Sequence, residues 1–279
     1  MDKSGVLKKL LNSGKTLIMP DAYDPISAKL IEKAGFKAVQ CSGYSFSIAA
    51  GYKSEMDITL GENIEWTRRI VNSVDVPVMA DAEDGYGGLE DVIETVDKFI
   101  QAGVAGLNIE DQIPDRNTSL SIIDEDLMFQ KISLVRETAE AEGNNDFIIN
   151  ARTDALRSTK NRDKGLEIAI DRANQYLEEG ADIAFITYVE TLEEVQKITK
   201  EVKGPVSIAA GMPYNINNFS IDDLVKCGVA RVSLPTLLVF SSLQGINSSL
   251  EYLKKDNLFE FSKKGSLYPN NELMKLLKI

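Results

Sequence analysis

Eight short apolar runs recur along the chain, and the stretches that separate them are long enough to be helices. The runs are TLIMPDAYD, KAVQCSGYS, VPVMADAED, AGLNIEDQ, DFIINARTDA, DIAFITYVE, GPVSIAAGM and ARVSLPT. Near-continuous apolar segments of this length read as strands buried on both faces, the condition of a parallel sheet covered by crossover helices. One unit is fully punctuated: Asp24 caps a helix, Pro25 opens it, Ile26, Leu30, Ile31 and Ala34 share a face, and Gly35 stops it. A weak repeat supports the count. IEKAGFKAVQ, FIQAGVAGLN, YLEEGADIAF and LVKCGVARVS each end a helix at glycine before the second, fourth, sixth and eighth runs, while the other four runs read as lacking that join. The pattern predicts a single (β/α)8 barrel over residues 1–279; a doubly wound open sheet is the alternative, since periodicity does not show closure. No Gly-x-Gly-x-x-Gly or Walker motif follows a strand, which weakens the nucleotide-binding form of that alternative. Residues 237–279 read as a helical region longer than a final barrel helix requires, packed either on a neighbouring subunit or on its own barrel.

Charge narrows the partners. The chain carries 31 Lys and Arg against 43 Asp and Glu, a formal charge of -12, which argues against nucleic acid and anionic membranes and for a small-molecule ligand. No leader-like apolar stretch and no run of 18 apolar residues occur, so a cytoplasmic protein is expected. Cys41 and Cys227 have no metal-type spacing and no disulfide is expected. The chain has no histidine at all. That excludes Ser-His-Asp, Cys-His and His-zinc chemistry, leaves proton transfer to carboxylates, Lys, Tyr, Cys or metal-bound water, and requires any metal to bind oxygen.

In a barrel the strand C-termini meet at one mouth, and the polar residues lie there: Asp21 and Asp24, Ser42 and Tyr44, Asp81, Glu83 and Asp84, Asn108, Glu110 and Asp111, Asn150, Arg152 and Asp154, and Glu190. Like charges this dense are costly to desolvate without a cation among them. Alternation along a strand puts Asp81 and Glu83 on one face, as it does Asn108 with Glu110 and Asn150 with Arg152. Three acids on neighbouring strand ends suit a partly hydrated Mg2+, with Mn2+ able to substitute, and a guanidinium beside it suits bidentate capture of a carboxylate or phosphonate. Residues 112–123, rich in Pro, Asp, Arg, Asn, Thr and Ser, have the position and composition of an active-site lid.

VMADAEDGYGG, AGLNIEDQ and INARTDA, in this order, resemble the isocitrate lyase and phosphoenolpyruvate mutase superfamily, whose members carry Asp-x-Asp-x-Gly-Tyr/Phe-Gly, Ile-Glu-Asp and Ala-Arg-Thr/Val-Asp/Glu at these places. The resemblance implies a (β/α)8 barrel, commonly with the last helix exchanged between paired subunits, in a homodimer or homotetramer. It implies that Asp81, Glu83 (where most members have a second Asp) and Glu110 form the metal site, and that Arg152 grips the substrate's acid group. Ser42, Gly43 and Tyr44 then match the segment that supplies hydroxyl and backbone N–H groups to a carboxylate. The loop QIPDRNTSLS lacks the Lys-Lys/Arg-Cys-Gly-His of the isocitrate and methylisocitrate lyases and is more similar to the mutase Lys-Thr-Asn-Ser-Leu, with Arg116, Asn117, Thr118 and Ser119 in its place. Arg116 and Tyr44 join Arg152 as expected catalytic residues, and Asn117 and Ser119 as substrate contacts. A family acid after strand two falls at Ser54, with Glu55 or Asp57 as stand-ins, and the lyase Glu after strand six falls at Thr187. The implied function is a Mg2+-dependent phosphonomutase or oxo-acid lyase working on a C–C or P–C bond beside a carbonyl. The alternatives are an isocitrate or 2-methylisocitrate lyase, a ketopantoate-type hydroxymethyl transferase, and an inactive oxo-acid-binding barrel.

Overall fold

The computed structural model describes residues 2–113, 121–255, 258–263 and 267–277. Eight parallel strands follow one another as expected: β1 (Leu17–Pro20), β2 (Val39–Gln40), β3 (Val78–Asp81), β4 (Gly106–Glu110), β5 (Ile148–Thr153), β6 (Ile183–Ile186), β7 (Val206–Ala209) and β8 (Arg231–Leu234). Each pairs with its sequence neighbour from β2 to β8, β8 returns to β1, and a parallel bridge from Asp21 to Gln40 brings β1 against β2. The sheet is thus a (β/α)8 barrel and not an open doubly wound one.

The helices are α1 (Lys3–Leu11), α2 (Pro25–Lys33), α3 (Gly43–Ala50), α4 (Leu60–Val71), α5 (Leu89–Gln101), α6 (Glu125–Ala141), α7 (Arg162–Glu178), α8 (Leu192–Glu201), α9 (Ile221–Lys226), α10 (Leu237–Lys254), α11 (Leu258–Lys263) and α12 (Asn270–Leu277). Helix α1 closes the bottom of the barrel: Leu7 is fully buried with Leu17, Ala38, Ala105, Ile148 and Ile183, residues at or beside the strand N-termini. Removing such a leucine from water contributes roughly 1.5–3 kcal/mol. The strand C-termini form the mouth at the other end.

The glycine joins hold at Gly35, Gly103, Gly180 and Gly228, all left-handed, but Gly14 and Gly143 make the same turn before β1 and β5, so the repeat is broader than the four segments suggested. Helix α2 begins at Asp24 and Pro25 as expected, with Asp24 Oδ1 accepting from Ser27 N. Its buried face is not the expected one. Ser27, Ala28 and Ile31 turn inward while Ile26, Leu30 and Ala34 are exposed, because two small residues let the helix approach the barrel and set the phase of the stripe. Among the described residues beyond 236, α10, α11 and α12 form a helical region; in α10 only Val239 is buried, and Phe240, Leu243, Ile246, Leu250 and Leu253 are exposed along it. Among the described residues no helix is long and apolar enough to cross a membrane.

Candidate metal centre and substrate cavity

Parallel register builds the floor of the mouth. Asp81 lies opposite Asn108, which lies opposite Asn150, and one step higher Glu110 lies opposite Arg152. Side chains from three adjacent strands therefore converge, in two layers, on the barrel axis. Asp81, Glu83 and Glu110 each bring a carboxylate oxygen within 4.8 Å of the others. Glu83 reaches them from just past β3, where its backbone turns left-handed with φ 50°.

Gly43 fits under this cluster. Its N–H donates to Asp81 Oδ2 at 3.2 Å, and a Cβ at this position would stand 1.8 Å from Glu83 Oε1. Asp81 Oδ1 and Glu83 Oε1 are buried and accept no hydrogen bond from the described residues. Burial holds the Asp81 carboxyl above its usual range and the Glu83 and Glu110 carboxyls well above theirs; the Arg152 charge opposes this in all three, and neighbouring carboxylates add to it at Glu83 and Glu110. Unsatisfied, converging oxygen ligands in a chain without histidine fit a hard divalent cation.

Arg152 is held from two sides. Its Nε and Nη2 donate to Asp154 Oδ1 and Oδ2 at 2.8 and 2.9 Å, and its Nη1 lies 2.6 Å from Glu110 Oε2. A guanidinium has five N–H donors, so two remain for a substrate acid group. Asp154 is fixed in turn by Thr187 Oγ1, and its backbone N–H donates to Asp111 Oδ1 at 2.9 Å. The expected position of a lyase glutamate is thus filled by a hydroxyl that orients the carboxylate behind Arg152.

Arg152 and Asp81 line a cavity of about 400 Å³ together with Ser42, Tyr44, Glu55 and Asn108. Ser42 caps α3, so that helix begins at the mouth, and Tyr44 is half exposed beside it. Of the three candidates after β2, Glu55 is the acid that enters the site, because Ser54 and Asp57 are consumed in closing a local capping box. Burial raises the Glu55 carboxyl above its usual range, against the pull of Arg152. The strand-end list also contained residues that point elsewhere. Asp111 turns outward to Tyr176 Oη at 2.7 Å and Arg172 Nη1 at 3.0 Å, Asp84 accepts from Tyr86 N at 2.9 Å, and Asp24 caps α2. Asp21 lies below the site, accepting from Ser45 Oγ and from Thr236 N at 3.3 Å. Arg116, Asn117 and Ser119 fall outside the described residues.

Several lining residues carried no local signal. Tyr188, left-handed at φ 59°, stands 5.5 Å from Tyr214, with the Arg157 guanidinium 4.4 Å over its ring, and Phe185 and Met212 add an apolar wall. Tyr188 and Met212–Tyr214 follow β6 and β7, so only the barrel rule that loops after strands build the site could have found them. Both cysteines are free: Cys41 is buried in the cavity wall, where burial pushes its thiol well up, and Cys227 follows α9.

Residues 7–254 match the sequence profile of the family described as phosphoenolpyruvate phosphomutase. The chain is 35% identical over 211 residues to 2,3-dimethylmalate lyase of Eubacterium barkeri, covering 73% of this chain and 70% of that one. It is 30% identical over 283 residues to 2-methylisocitrate lyase of Aeropyrum pernix, covering 98% and 86%. The crystal structure of phosphoenolpyruvate phosphomutase from Streptomyces platensis subsp. rosaceus superposes with a TM-score of 0.88 over 99% of this chain and 95% of that one; at 23% identity this likeness concerns the fold.

Proposed function

Since the chain belongs to the phosphoenolpyruvate phosphomutase family, we propose that it is a Mg2+-dependent enzyme that makes or breaks a C–C or P–C bond beside the carbonyl of a small oxo acid. The observation that carries this reading is the convergence of Asp81, Glu83 and Glu110, two of them with orphaned buried oxygens, beside an arginine that retains free donors. Mg2+, or Mn2+ in its place, would be held by these three carboxylates and would supply positive charge for the enolate oxygen that develops as the bond breaks.

The chain's own residues do the rest. Arg152 binds and orients the substrate's acid group, its plane fixed by Asp154, so the reacting bond is presented in one direction. Ser42 and Tyr44 add hydroxyl donors at the same wall, and the apolar side formed by Phe185 and Met212 limits water around the bond being broken. Among the described residues Glu55 is the carboxyl outside the metal set that lines the cavity, and its raised proton affinity suits it to hold the proton that the carbanion carbon takes up. A thiol is a poor substitute: burial holds Cys41 protonated, and Cys227 follows α9 outside the cavity lining. We therefore favour an oxaloacetate-like or phosphonopyruvate-like substrate over isocitrate or 2-methylisocitrate. Arg116, Asn117 and Ser119 are the proposed lid contacts to the departing group. The exposed apolar stripe of α10 suits a homodimer or homotetramer, which light scattering tests.

The reading is tested by incubating the purified protein with Mg2+ and, separately, oxaloacetate, phosphonopyruvate, 2,3-dimethylmalate, isocitrate and 2-methylisocitrate, with products followed by proton and phosphorus NMR. Turnover of an oxo acid that stops on chelation is the expected result. Robust isocitrate or 2-methylisocitrate cleavage, kept after both cysteines are changed to serine, would overturn the substrate assignment.

A further inference from the structure

Glu83 reaches the metal centre from a segment of unusual backbone. Glu83 and Tyr86 are left-handed at φ 50° and 62°, and Gly85 and Gly87 at φ 92° and 147°, so four of five consecutive residues lie where side chains are disfavoured. A turn of this kind persists only if its surroundings hold it. The Glu110 N–H donates to the Glu83 carbonyl at 2.9 Å, and three further carbonyls of the turn are met by donors from two helices behind the barrel.

Lys131 of α6 is 3% exposed, and its Nζ donates to the carbonyl oxygens of Asp84 at 2.5 Å and Gly87 at 3.1 Å. Thr95 of α5 donates from Oγ1 to the carbonyl oxygen between them, that of Gly85, at 3.0 Å. Asp84 and Asp91 offset the ammonium charge, but the ion pair to Asp84 Oδ2 is long, at 4.0 Å, and the closer partners are the two carbonyls. An ammonium is expensive to bury, and here it is directed at main-chain carbonyls of the turn that carries a proposed metal ligand.

We propose that Lys131, aided by Thr95, is a positioning residue for the metal centre: it clamps the turn after β3 so that the Glu83 carboxylate faces Asp81 and Glu110. This rests on the metal reading above. Lys131 meets only main-chain carbonyls of the turn, so its effect on the centre is transmitted by the turn that carries Glu83. Shells behind a ligand commonly change metal affinity by about 10–100-fold when removed.

Mn2+ binding by calorimetry and by electron paramagnetic resonance tests this without reference to turnover. Four proteins are compared: wild type, Lys131→Met, Glu83→Gln and the double variant. The expected result is a loss of about tenfold or more on changing Lys131 alone, shrinking to within about twofold in the Glu83→Gln background. Wild-type affinity in Lys131→Met, or the same loss in both backgrounds, overturns the proposal. If Lys131→Met does not fold, Thr95→Val replaces it in the same cycle, and equal losses in both backgrounds again overturn it. Failure of the wild type itself to bind Mn2+ sinks the metal reading in the first arm and is thereby distinguished from failure of the clamp.

Discussion

A single methyl group at Gly43 separates the stability of this barrel from the metal centre proposed for it. Gly43 opens α3 with ordinary backbone angles, so alanine is allowed there, yet its Cβ would stand 1.8 Å from Glu83 Oε1 and 3.0 Å from Cδ. An uncharged contact requires a little over 3 Å, so the carboxylate oxygen must retreat by roughly 1.5 Å. The atom in the way is the far end of a flexible side chain, so the ligand moves and the helix stays. Gly→Ala at a compatible backbone site stabilises by about 0.4–1 kcal/mol through the unfolded chain, and moving one acid out of a like-charged cluster opposes nothing in the apo protein. For a chain of this size the apo melting midpoint should stay level or rise by about 1–3 °C. Metal ligands tolerate displacements of only about 0.2 Å, so Mn2+ affinity should fall by about 10–100-fold and turnover by about 100-fold. Scanning fluorimetry without metal, calorimetric Mn2+ titration and the NMR assay measure the three quantities. A Gly43→Ala protein that binds Mn2+ within about twofold of wild type and turns over normally would refute the placement of Glu83 in the metal set.

Three further variants probe the same mouth. Asp81→Asn should abolish Mg2+ binding in calorimetry while leaving apo stability unchanged or higher, since burial already holds that carboxyl above its usual range and the amide oxygen can still accept from Gly43 N. Arg152→Lys should lower turnover by about 100-fold with native folding by circular dichroism, because an ammonium cannot reproduce the fork that Asp154 orients; near-normal kcat/KM would count against the substrate role. Asp21 is pushed up to about 8 from an ordinary 3.8 by burial, so the native state keeps a proton that the unfolded chain has already released. Its contribution to stability is fully present below pH 3.8 and lost as pH rises through 8. Urea unfolding from acid to alkaline pH should therefore show Asp21→Asn gaining on wild type by up to about 6 kcal/mol, and parallel curves would contradict the buried, protonated state.

Strand order and number, and the neighbourhood of the acids proposed to hold the metal, were legible in local pattern. A strand buried on two faces must be apolar along its length, and alternation puts Asn108 with Glu110 within β4. Glu83 joins Asp81 for a different reason than alternation: β3 ends at Asp81, and the left-handed turn beyond it brings the carboxylate back. Acid types at strand ends in a chain with no histidine were enough to point to an oxygen-bound cation. Local pattern did not determine phase or direction. Asp111 is adjacent to Glu110, yet it faces Arg172 and Tyr176 behind the barrel, and α2 buries Ser27 and Ala28 in preference to Ile26 and Leu30. Tertiary structure alone chose Glu55 over Ser54 and Asp57 by tying those two into a cap, and it alone brought Arg157, Tyr188 and Tyr214 to the cavity. Lys131 is the clearest case. Its place on α6 lies 48 positions from Glu83 in sequence, and nothing in its surroundings there says that its ammonium will meet the carbonyls of a left-handed turn. Which polar group meets which depends on how helices close over the sheet, and that is a property of packing between segments distant in the chain.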